Sequence, residues 1–467
     1  MNLGFKEKAS YGLGAIGKDM VYMLSASYIL YYFQDTLGVS AVAMGIILLV
    51  ARIFDAFNDP IMGVIVAKTN TKWGKFRPWL FIGTLTNAVI LYLMFSAPVS
   101  LDGKGLVAYA AITYVLWGVT YTMMDIPYWS MIPAFTKSGK EREGLTTLAR
   151  SCAGVGSSLV VIFTMMIVKM IGGADEAKGF RYFALIVAVI FVVFITITCI
   201  NIKEEADVNM ETATVKQMFK SLFSNDQAMT IVIAIVLINS SIYLTSNLVI
   251  YFFKYDFGGT GWYNSYTLFN MFGGAIQILA MMIAYPLLRK KFTNIRIFYI
   301  TLASAIIGYA VLLGIAFTNM QQVYILFIPA FFIFAANGVL QVLTTVFLAN
   351  TVDYGDLKNN RRDESVIFSM QTFVVKLASG LAAFVASLCL SINSLQSGTD
   401  VSDADAKIDF SLNVAAAAKT GLRMTMTILP VIGLAIAIVV FKKRFILTEE
   451  KMNEIEKKIK VRNESAR

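Results

Sequence analysis

The sequence ARIFDAFNDPIMG, residues 51–63, places three charged side chains inside a long apolar segment that begins near residue 40. Arg52, Asp55 and Asp59 would each cost about 2.5 to 3.5 kcal/mol at the centre of a membrane-spanning helix. Such charges are tolerated where a helix lines a polar interior, because each one finds a partner or a ligand there. The stretch therefore predicts a membrane-embedded helix that faces a water-lined binding site.

The composition of the whole chain also indicates a membrane protein. Of its 467 residues, 57% are hydrophobic and 15% are charged, whereas soluble domains are about half apolar and a quarter charged. The net charge of +10 is spread over many short loops, so it indicates membrane topology rather than nucleic-acid binding. The chain has no histidine, which excludes a histidine-based proton relay, metal site or catalytic triad. We interpret Cys152, Cys199 and Cys389, which lie in apolar segments, as packing residues.

Twelve apolar segments are long enough to cross a bilayer, which takes roughly 20 residues of helix. The N-terminus MNLGFKEKAS lacks a cleavable signal pattern, so we expect the first segment to be retained. Basic residues concentrate after the even-numbered segments, while QDTLGVSA and TNMQQ contain none. This bias predicts that both termini are cytoplasmic. The segments begin near residues 11, 40, 79, 105, 147, 181, 227, 264, 296, 322, 366 and 420.

An internal repeat divides the segments into two halves. The loop at 137–143, after span four, resembles the loop at 358–364, after span ten. Two six-span halves in the same orientation are typical of the major facilitator superfamily. We therefore predict an all-α membrane protein of twelve transmembrane helices with that fold. Its predicted parts are an N-terminal half at 1–202, a cytoplasmic middle loop at 203–226, a C-terminal half at 227–441 and a cytoplasmic tail at 442–467.

Eight ionisable side chains fall within the predicted spans, and seven of them belong to the first half. The four acids and four bases sum to zero, as expected of a cavity in which every charge is paired. Asp55 and Asp59 lie one turn apart on one face, with Asn58 beside them, and predict a site for a hard monovalent cation. Na⁺ and H⁺ can compete there, because two repelling carboxylates favour protonation of one. The eight are Lys18, Asp19, Arg52, Asp55, Asp59, Asp125, Arg150 and Lys376.

Arg52 and Trp129 each allow two interpretations. Arg52 precedes Asp55 by three residues, so it is either a structural partner of that acid or part of the site. On span four, Thr122, Asp125 and Trp129 share a face, where a carboxylate can accept bonds from sugar hydroxyls and an indole can pack against a pyranose ring. A tryptophan alone is more typical of the membrane interface. Its position beside the only charge of the span favours a sugar site.

Seven short motifs, distributed over nearly the whole chain, are specific when taken together. They are YGLGAIGKDM at 11–20, ARIFDAFNDPIMG at 51–63, KWGKFRPW at 72–79, TYTMMDIPYWSMIP at 120–133, NTVDYGDLK at 350–358, RRDES at 361–365 and QTFVVK at 371–376. These motifs resemble the glycoside-pentoside-hexuronide:cation symporters, a family that includes the melibiose permeases. The resemblance implies uptake of a glycoside coupled to Na⁺, Li⁺ or H⁺ by alternating access, in a bacterial cytoplasmic membrane and without a cofactor.

The resemblance also assigns residues of this chain to two sites. Melibiose permeases tend to have a tryptophan on span ten where this chain has Gln341, which leaves β-galactosides, xylosides and hexuronides open beside α-galactosides such as melibiose. The implied cation site, for Na⁺ or its competitors, is Asp55, Asn58, Asp59 and Thr122, and the implied sugar site is Lys18, Asp19, Asp125, Trp129 and Arg150, with Lys376 near the junction of the two.

The predicted function is therefore secondary active symport of a glycoside with Na⁺ or H⁺. A membrane enzyme would need a nucleophile, a base or a cofactor motif, and the sequence has neither histidine nor a glycine-rich phosphate loop. Two further functions are a sugar receptor that does not transport and an uncoupled sugar facilitator, and the two acids of span two argue against the facilitator. The expected partners are a glycoside, a monovalent cation and the lipid bilayer, while the oligomeric state does not follow from the sequence.

Overall fold

Helices account for nearly all of the computed structural model, which describes residues 4–98, 100–136, 139–204, 215–318, 320, 322–359, 364–395 and 409–465. Twelve helices of 18 residues or more lie in this part of the chain, and ten of them are long and apolar enough to cross a membrane. They are α1 Phe5–Tyr31, α2 Ala41–Lys68, α3 Arg77–Met94, α4 Gly103–Ser130, α5 Gly139–Gly172, α6 Glu176–Asn201, α7 Asp226–Phe252, α8 Trp262–Leu279, α9 Asn294–Ala316, α10 Phe327–Asn359, α11 Glu364–Ile392 and α12 Ala416–Arg444.

Ten of the twelve helix starts lie within five residues of the predicted positions, and the two largest differences arise where polar residues extend a helix. α5 begins at Gly139 rather than near residue 147, and α1 begins at Phe5 rather than near residue 11. Hydropathy detects only the part of a helix that lies in lipid, while backbone hydrogen bonding continues beyond it. The apolar segments are therefore shorter than the helices that contain them.

The chain divides into two compact units. In the first unit, α1 packs against α5 and α6, while α4 packs against α2 and α3. In the second, α7 packs against α12, and α9 packs against α10. The first unit contains α1 to α6, and the second contains most of α7 to α12. Their bounds are Met1–Thr212, Gly258–Thr267 and Leu390–Leu412 for the first, and Ala213–Phe257, Leu268–Cys389 and Asn413–Arg467 for the second.

The first helix of each half ends in the same local structure. α1 continues into a π-helical turn, Tyr32–Thr36, and the chain leaves it at Gly38 with a φ of 72°. α7 continues into the π-helical turn Phe253–Phe257 and leaves it at Gly258 with a φ of 74°. Glycine adopts this left-handed conformation without the steric penalty of other residues, so it stops the helix at both places. The correspondence favours an internal repeat.

Three predictions concern segments that are described only in part. Of the two loops that suggested the repeat, residues 137–138 and 360–363 lie outside the described residues, while 139–143 begin α5 and 358–359 end α10. In the predicted middle loop, residues 205–214 also lie outside them, and Val215–Ser224 is a short helix, here called the linker helix. Within the predicted tail, Glu449–Ser465 is a helix, here called the tail helix.

The tail helix is held on the second unit by ion pairs and a small apolar cluster. Arg289 Nη2 lies 2.7 Å from Glu449 Oε1, and Arg462 Nη2 lies 2.8 Å from Asp356 Oδ1. Between these two pairs, Met452 is buried among apolar side chains of the second unit. Contacts at both ends therefore fix the tail helix against α10 and the start of α9.

The first turn of α3 is capped by a carboxylate from a distant part of the chain. Glu204, which follows α6, accepts hydrogen bonds from the backbone N–H groups of Lys75, Phe76 and Arg77 at 2.6, 3.0 and 2.9 Å. A helix N-terminus carries unpaired N–H groups and a partial positive charge, so an anion there is stabilising. Gly74, with a φ of 111°, leaves the space that the carboxylate needs. The end of α6 is thereby joined to the start of α3.

Candidate functional site

A charged cluster lies between α1 and α4 in the first unit. Lys18 Nζ is 3.1 Å from Asp19 Oδ2 and 2.7 Å from Asp125 Oδ1, and it donates to the Tyr121 hydroxyl at 3.2 Å. Ser157 of α5 donates to Asp19 Oδ1 at 3.5 Å. The lysine side chain is 5% exposed, whereas those of the two aspartates are 19% and 26% exposed. The cluster therefore turns its carboxylates, rather than its ammonium group, towards open space.

Trp129 lies beside this cluster with cations near its ring. The guanidinium carbon of Arg150 is 4.0 Å from the ring centroid, and Lys18 Nζ is 5.1 Å from it. A cation over an indole is attracted by the electron-rich face, so a sugar ring that packs on Trp129 must use the other face or displace Arg150. The structure thus brings together the five predicted sugar residues of the first half. That these residues bind sugar stays a prediction.

Long side chains join α1 to α4, while the backbone of α1 packs against α5 and α6. The phenols of Tyr11 and Tyr128 each donate to the other residue's carbonyl, at 2.5 and 2.6 Å, and their rings stack at 4.4 Å. Two turns further along α1, Lys18 reaches Tyr121, and one turn beyond that Tyr22 contacts the same tyrosine ring at 5.5 Å. We call these contacts the α1–α4 ladder. Residue numbers rise on α1 as they fall on α4, so the two helices are antiparallel.

The face of α2 that carries the predicted cation residues is packed against α4. Thr122 Oγ1 donates to Asp59 Oδ1 at 2.9 Å. One turn earlier on both helices, Gly118 lies against Asp55, where a Cβ atom would collide with the carboxylate. The equal spacing of the two contacts puts α2 and α4 in parallel register. Both carboxylates are therefore in direct contact with α4.

Arg52 is an ion-pair partner of Asp55, which favours the structural interpretation of this arginine. Its Nη1 lies 3.2 Å from Asp55 Oδ2, and the two side chains are 4% and 6% exposed. The rings of Tyr22, Tyr114 and Trp117 lie 5.7, 5.8 and 6.0 Å from the guanidinium carbon. A buried guanidinium is costly without partners, and here a carboxylate and three aromatic rings stabilise it.

Sequence reasoning missed these aromatic residues of span four. Tyrosines in membrane helices are common at interfaces and in packing, so composition does not separate the functional ones. A usable signal was the spacing of Trp117, Tyr121 and Asp125, which recur every four residues and so follow one face of the helix. In the structure, that face contacts Lys18 and contributes to the three aromatic rings around Arg52, here called the aromatic cage.

Neutral oxygens add to what α2 can offer a cation. Asn58 Nδ2 is buried and has no hydrogen-bond partner among the described residues, and a half-turn of the amide puts the carbonyl oxygen in its place. α2 runs through Pro60, which has no N–H to donate to the carbonyl of Ala56 four residues earlier. Within the described ranges, no group of three or more cysteine or carboxylate side chains that could hold a metal ion is found. Two carboxylates with neutral oxygens suit a monovalent rather than a divalent cation.

The predicted residues of the second half lie in the second unit and are described with it. Lys376 is half-buried on α11, and its assignment to the substrate sites stays a prediction. Asn337 of α10 donates to Gln277 Oε1 of α8 at 3.3 Å. One turn beyond Asn337, Gln341 is exposed on α10. These side chains give the second unit polar groups suited to hydroxyl-rich ligands.

The second unit also contains a buried ion pair that the sequence did not indicate. Arg423 of α12 donates to both oxygens of Asp256, at 2.7 and 2.6 Å. Asp256 lies in the π-helical turn that follows α7. It was missed because a carboxylate near a span end normally reaches water, whereas this one is buried against α12.

Asn87 of α3 fixes the part of α4 that lies against α2. Its buried Nδ2 donates to the Trp117 carbonyl at 3.0 Å and to Thr120 Oγ1 at 2.9 Å. We expect Asn87→Ala to lower the free energy of unfolding by about 2 kcal/mol, because two buried hydrogen bonds are lost. Denaturant unfolding of the purified protein in detergent measures the change. Asn453→Ala, on the exposed side of the tail helix, is the control, and an equal loss in both variants would contradict the expectation.

Comparison with known proteins assigns the chain to a family. A family model described as MFS/sugar transport protein matches residues 10–449. The chain belongs to this family. The raffinose carrier protein of Pediococcus pentosaceus is 29% identical to it, over 95% of this chain and 70% of the carrier. The putative glycoside/cation symporter YagG of Escherichia coli (strain K12) is 27% identical, over 82% of each chain.

Solved structures show the same fold. A bacterial homolog of the human lysosomal transporter Spinster, in an inward-facing and unoccupied conformation, covers 93% of this chain and 95% of its own length with a TM-score of 0.65 at 13% identity. With the family membership, this confirms the prediction of an all-α, multi-pass membrane protein of the major facilitator superfamily. The predicted relation to sugar and cation symporters is confirmed at the level of the family, and the chain is a transporter rather than an enzyme.

Proposed function

We propose that this chain couples the uptake of a neutral glycoside to the entry of Na⁺ or H⁺. The observation that carries the proposal is the double contact of α4. Thr122 is bonded to Asp59 of α2, and Asp125, three residues further on, is paired with Lys18 of α1. A cation that binds on α2 therefore acts on the helix that also carries a sugar-facing carboxylate.

The charges around the proposed sugar site favour an uncharged substrate. Lys18 and Arg150 balance Asp19 and Asp125, so these four residues sum to zero when all are ionised. A hexuronide would add an uncompensated negative charge, which is costly in a partly desolvated site. The relatives named as a raffinose carrier and a putative glycoside/cation symporter support the same substrate class. Xylosides are the second candidate class, because Gln341 stands where melibiose permeases tend to carry a tryptophan.

In the proposed cycle, the cation neutralises the pair of acids on α2 and draws α2 and α4 together. Asp55 and Asp59 then no longer repel each other, and Thr122 and Asn58 supply neutral oxygens. Once the bound cation holds α4 against α2, Asp125 is oriented for the sugar hydroxyls. Li⁺ is expected to compete for the same ligands, and no cofactor is needed beyond the coupling cation. The two carboxylates packed against α4 argue against an uncoupled facilitator, which does not need a cation site.

We also propose that the protein lies in a bacterial cytoplasmic membrane with both termini in the cytoplasm. The basic loops after even-numbered spans support this orientation, and the bacterial sources of the two relatives support the compartment. The proposed division into halves at 1–202 and 227–441, joined by the segment at 203–226, follows from the same topology.

Linkage between the two sites provides the test. If the sites are coupled, sugar must raise the affinity for the cation by the same factor by which the cation raises the affinity for sugar, and we expect this factor to exceed about fivefold. Calorimetric titration of purified protein with Na⁺, with and without saturating sugar, and the reverse pair of titrations measure both factors. A transport screen of galactosides, xylosides and glucuronides supplies the sugar. An Na⁺ affinity that is unchanged by a bound sugar rejects coupling in favour of a facilitator.

A further inference from the structure

The linker helix exposes aromatic side chains next to the bundle. Leu222 is buried in the core of the second unit, whereas Phe223 is 73% exposed and Phe219 is 37% exposed. Phe219 also meets Phe373 of α11 edge-on, with ring centroids 5.7 Å apart, so the helix is held against the unit on one side. A short amphipathic helix with exposed aromatic residues is suited to the boundary between lipid head groups and acyl chains.

An open groove of about 430 Å³ lies between the linker helix, α7 and α12. Apolar lining comes from Phe223 and Met229, and a positive charge comes from Arg444 at the end of α12. Among the residues that the structure describes, no carboxylate pairs with the exposed Arg444 side chain. The groove thus combines an apolar wall with a guanidinium group suited to bidentate binding of a phosphate.

The one acid in the groove is already neutralised by its neighbours. Asp226 Oδ1 lies 2.5 Å from Lys358 Nζ and accepts from the Tyr354 hydroxyl at 3.1 Å. Asp226 Oδ2 accepts from Gln227 Nε2 at 2.7 Å. Because both carboxylate oxygens are engaged in this way, the net charge of the groove comes from Arg444. The charge of the acid in the lining is therefore offset by Lys358.

Further cations lie on the helices that form the groove. Lys442 and Lys443 are exposed in the last turn of α12, and Lys216 and Lys220 are exposed on the linker helix. We propose that the groove binds an anionic glycerophospholipid of the adjacent leaflet, with its phosphate on Arg444 and an acyl chain along Phe223 and Met229. The charge of the cluster matches an anionic head group, because basic residues beside a span attract anionic lipids. The apolar wall fits an acyl chain, which a soluble anion lacks. This proposal is independent of the transported sugar.

Native mass spectrometry of the full chain, released from vesicles of equal parts phosphatidylglycerol and phosphatidylcholine, tests the proposal. We expect the wild-type protein to retain phosphatidylglycerol in preference to phosphatidylcholine. Arg444→Gln should reduce the retained phosphatidylglycerol by about tenfold, since a charge-assisted contact to phosphate is lost. Phe223→Ser should reduce it through loss of the acyl contact. Arg296→Gln removes an exposed arginine at the start of α9, away from the groove, and should leave retention unchanged.

Several outcomes would overturn the proposal. Equal retention of the two lipids would show that the groove does not select an anionic head group. An equal loss of retained phosphatidylglycerol in Arg444→Gln and Arg296→Gln would show that lipid retention depends on general surface charge and not on the groove. Displacement of phosphatidylglycerol by glycerol 3-phosphate at equal concentration would indicate a site for soluble phosphate. Unfolding temperatures of all variants are measured alongside, and Phe223→Ser, which removes a mostly exposed side chain, keeps the proposal testable if Arg444→Gln fails to fold.

Discussion

Asp125→Asn is expected to weaken sugar binding about a hundredfold, which corresponds to about 3 kcal/mol and to the loss of two charge-assisted hydrogen bonds. The carboxylate is 26% exposed and lies beside the buried ammonium group of Lys18, so it is the most open acid of the cluster. Asn keeps the size of the side chain but loses the charge. Binding of the best sugar from the screen, titrated in saturating Na⁺, measures the change.

The fold should survive this substitution, because Lys18 keeps Asp19 as a partner at 3.1 Å. Asp102→Asn is the matched control on the same helix. Asp102 is exposed and caps α4 by accepting from the Gly105 N–H at 2.7 Å, and asparagine caps equally well. The control should bind sugar as the wild type does. Sugar affinity within threefold of wild type in Asp125→Asn would remove this residue from the proposed sugar site.

Asp59→Asn is expected to abolish uphill accumulation of sugar while leaving exchange intact. The variant keeps an acceptor for Thr122, which donates to Asp59 at 2.9 Å, so α2 and α4 remain connected. It loses the negative charge that a cation needs, and a gradient cannot drive transport through a site that the ion does not occupy. In vesicles with an imposed Na⁺ gradient, the accumulation ratio should fall to about one, the value for uncoupled equilibration.

Counterflow of labelled sugar separates the two effects. Asp59→Asn should retain counterflow, and Asp125→Asn should lose it at substrate concentrations near the wild-type half-saturation value. Asp175→Asn is the matched control, since this residue caps α6 through the Lys178 N–H at 2.9 Å and asparagine preserves that bond. Loss of counterflow in Asp59→Asn would mean that the sugar and cation sites are not divided as proposed.

Much of the fold could be predicted because each span is an apolar segment of bilayer length. α7 begins at Asp226 and α2 at Ala41, close to the positions expected near residues 227 and 40. Hydropathy alone did not predict the linker helix Val215–Ser224, because its apolar residues are dispersed in a polar segment. The capping of α3 by Glu204 was also beyond prediction, since 127 residues separate donor and acceptor in the bond to Arg77.

The sequence predicted which residues belong to the candidate site better than it predicted which side chains those residues contact. Overall neutrality required that charges pair, and helix spacing suggested the pair of Arg52 with Asp55. Nothing in the sequence specified that Lys18 bridges Asp19 and Asp125, because helix periodicity gives the face of one helix and not the helix opposite. The aromatic cage around Arg52 was missed for the same reason.

The α1–α4 ladder joins two helices that are anchored by other neighbours. Because α1 is held by α5 and α6, and α4 by α2 and α3, the two helices are positioned mainly by their other neighbours. Tyr11, Tyr121, Tyr128 and Lys18 therefore bridge a gap whose width is set by the other helices of the unit. If sugar binds beside the ladder as proposed, a change in one ladder side chain would alter the size of sugar that fits while the helix packing stays the same. Relatives with different sugars and little overall identity can then share one scaffold.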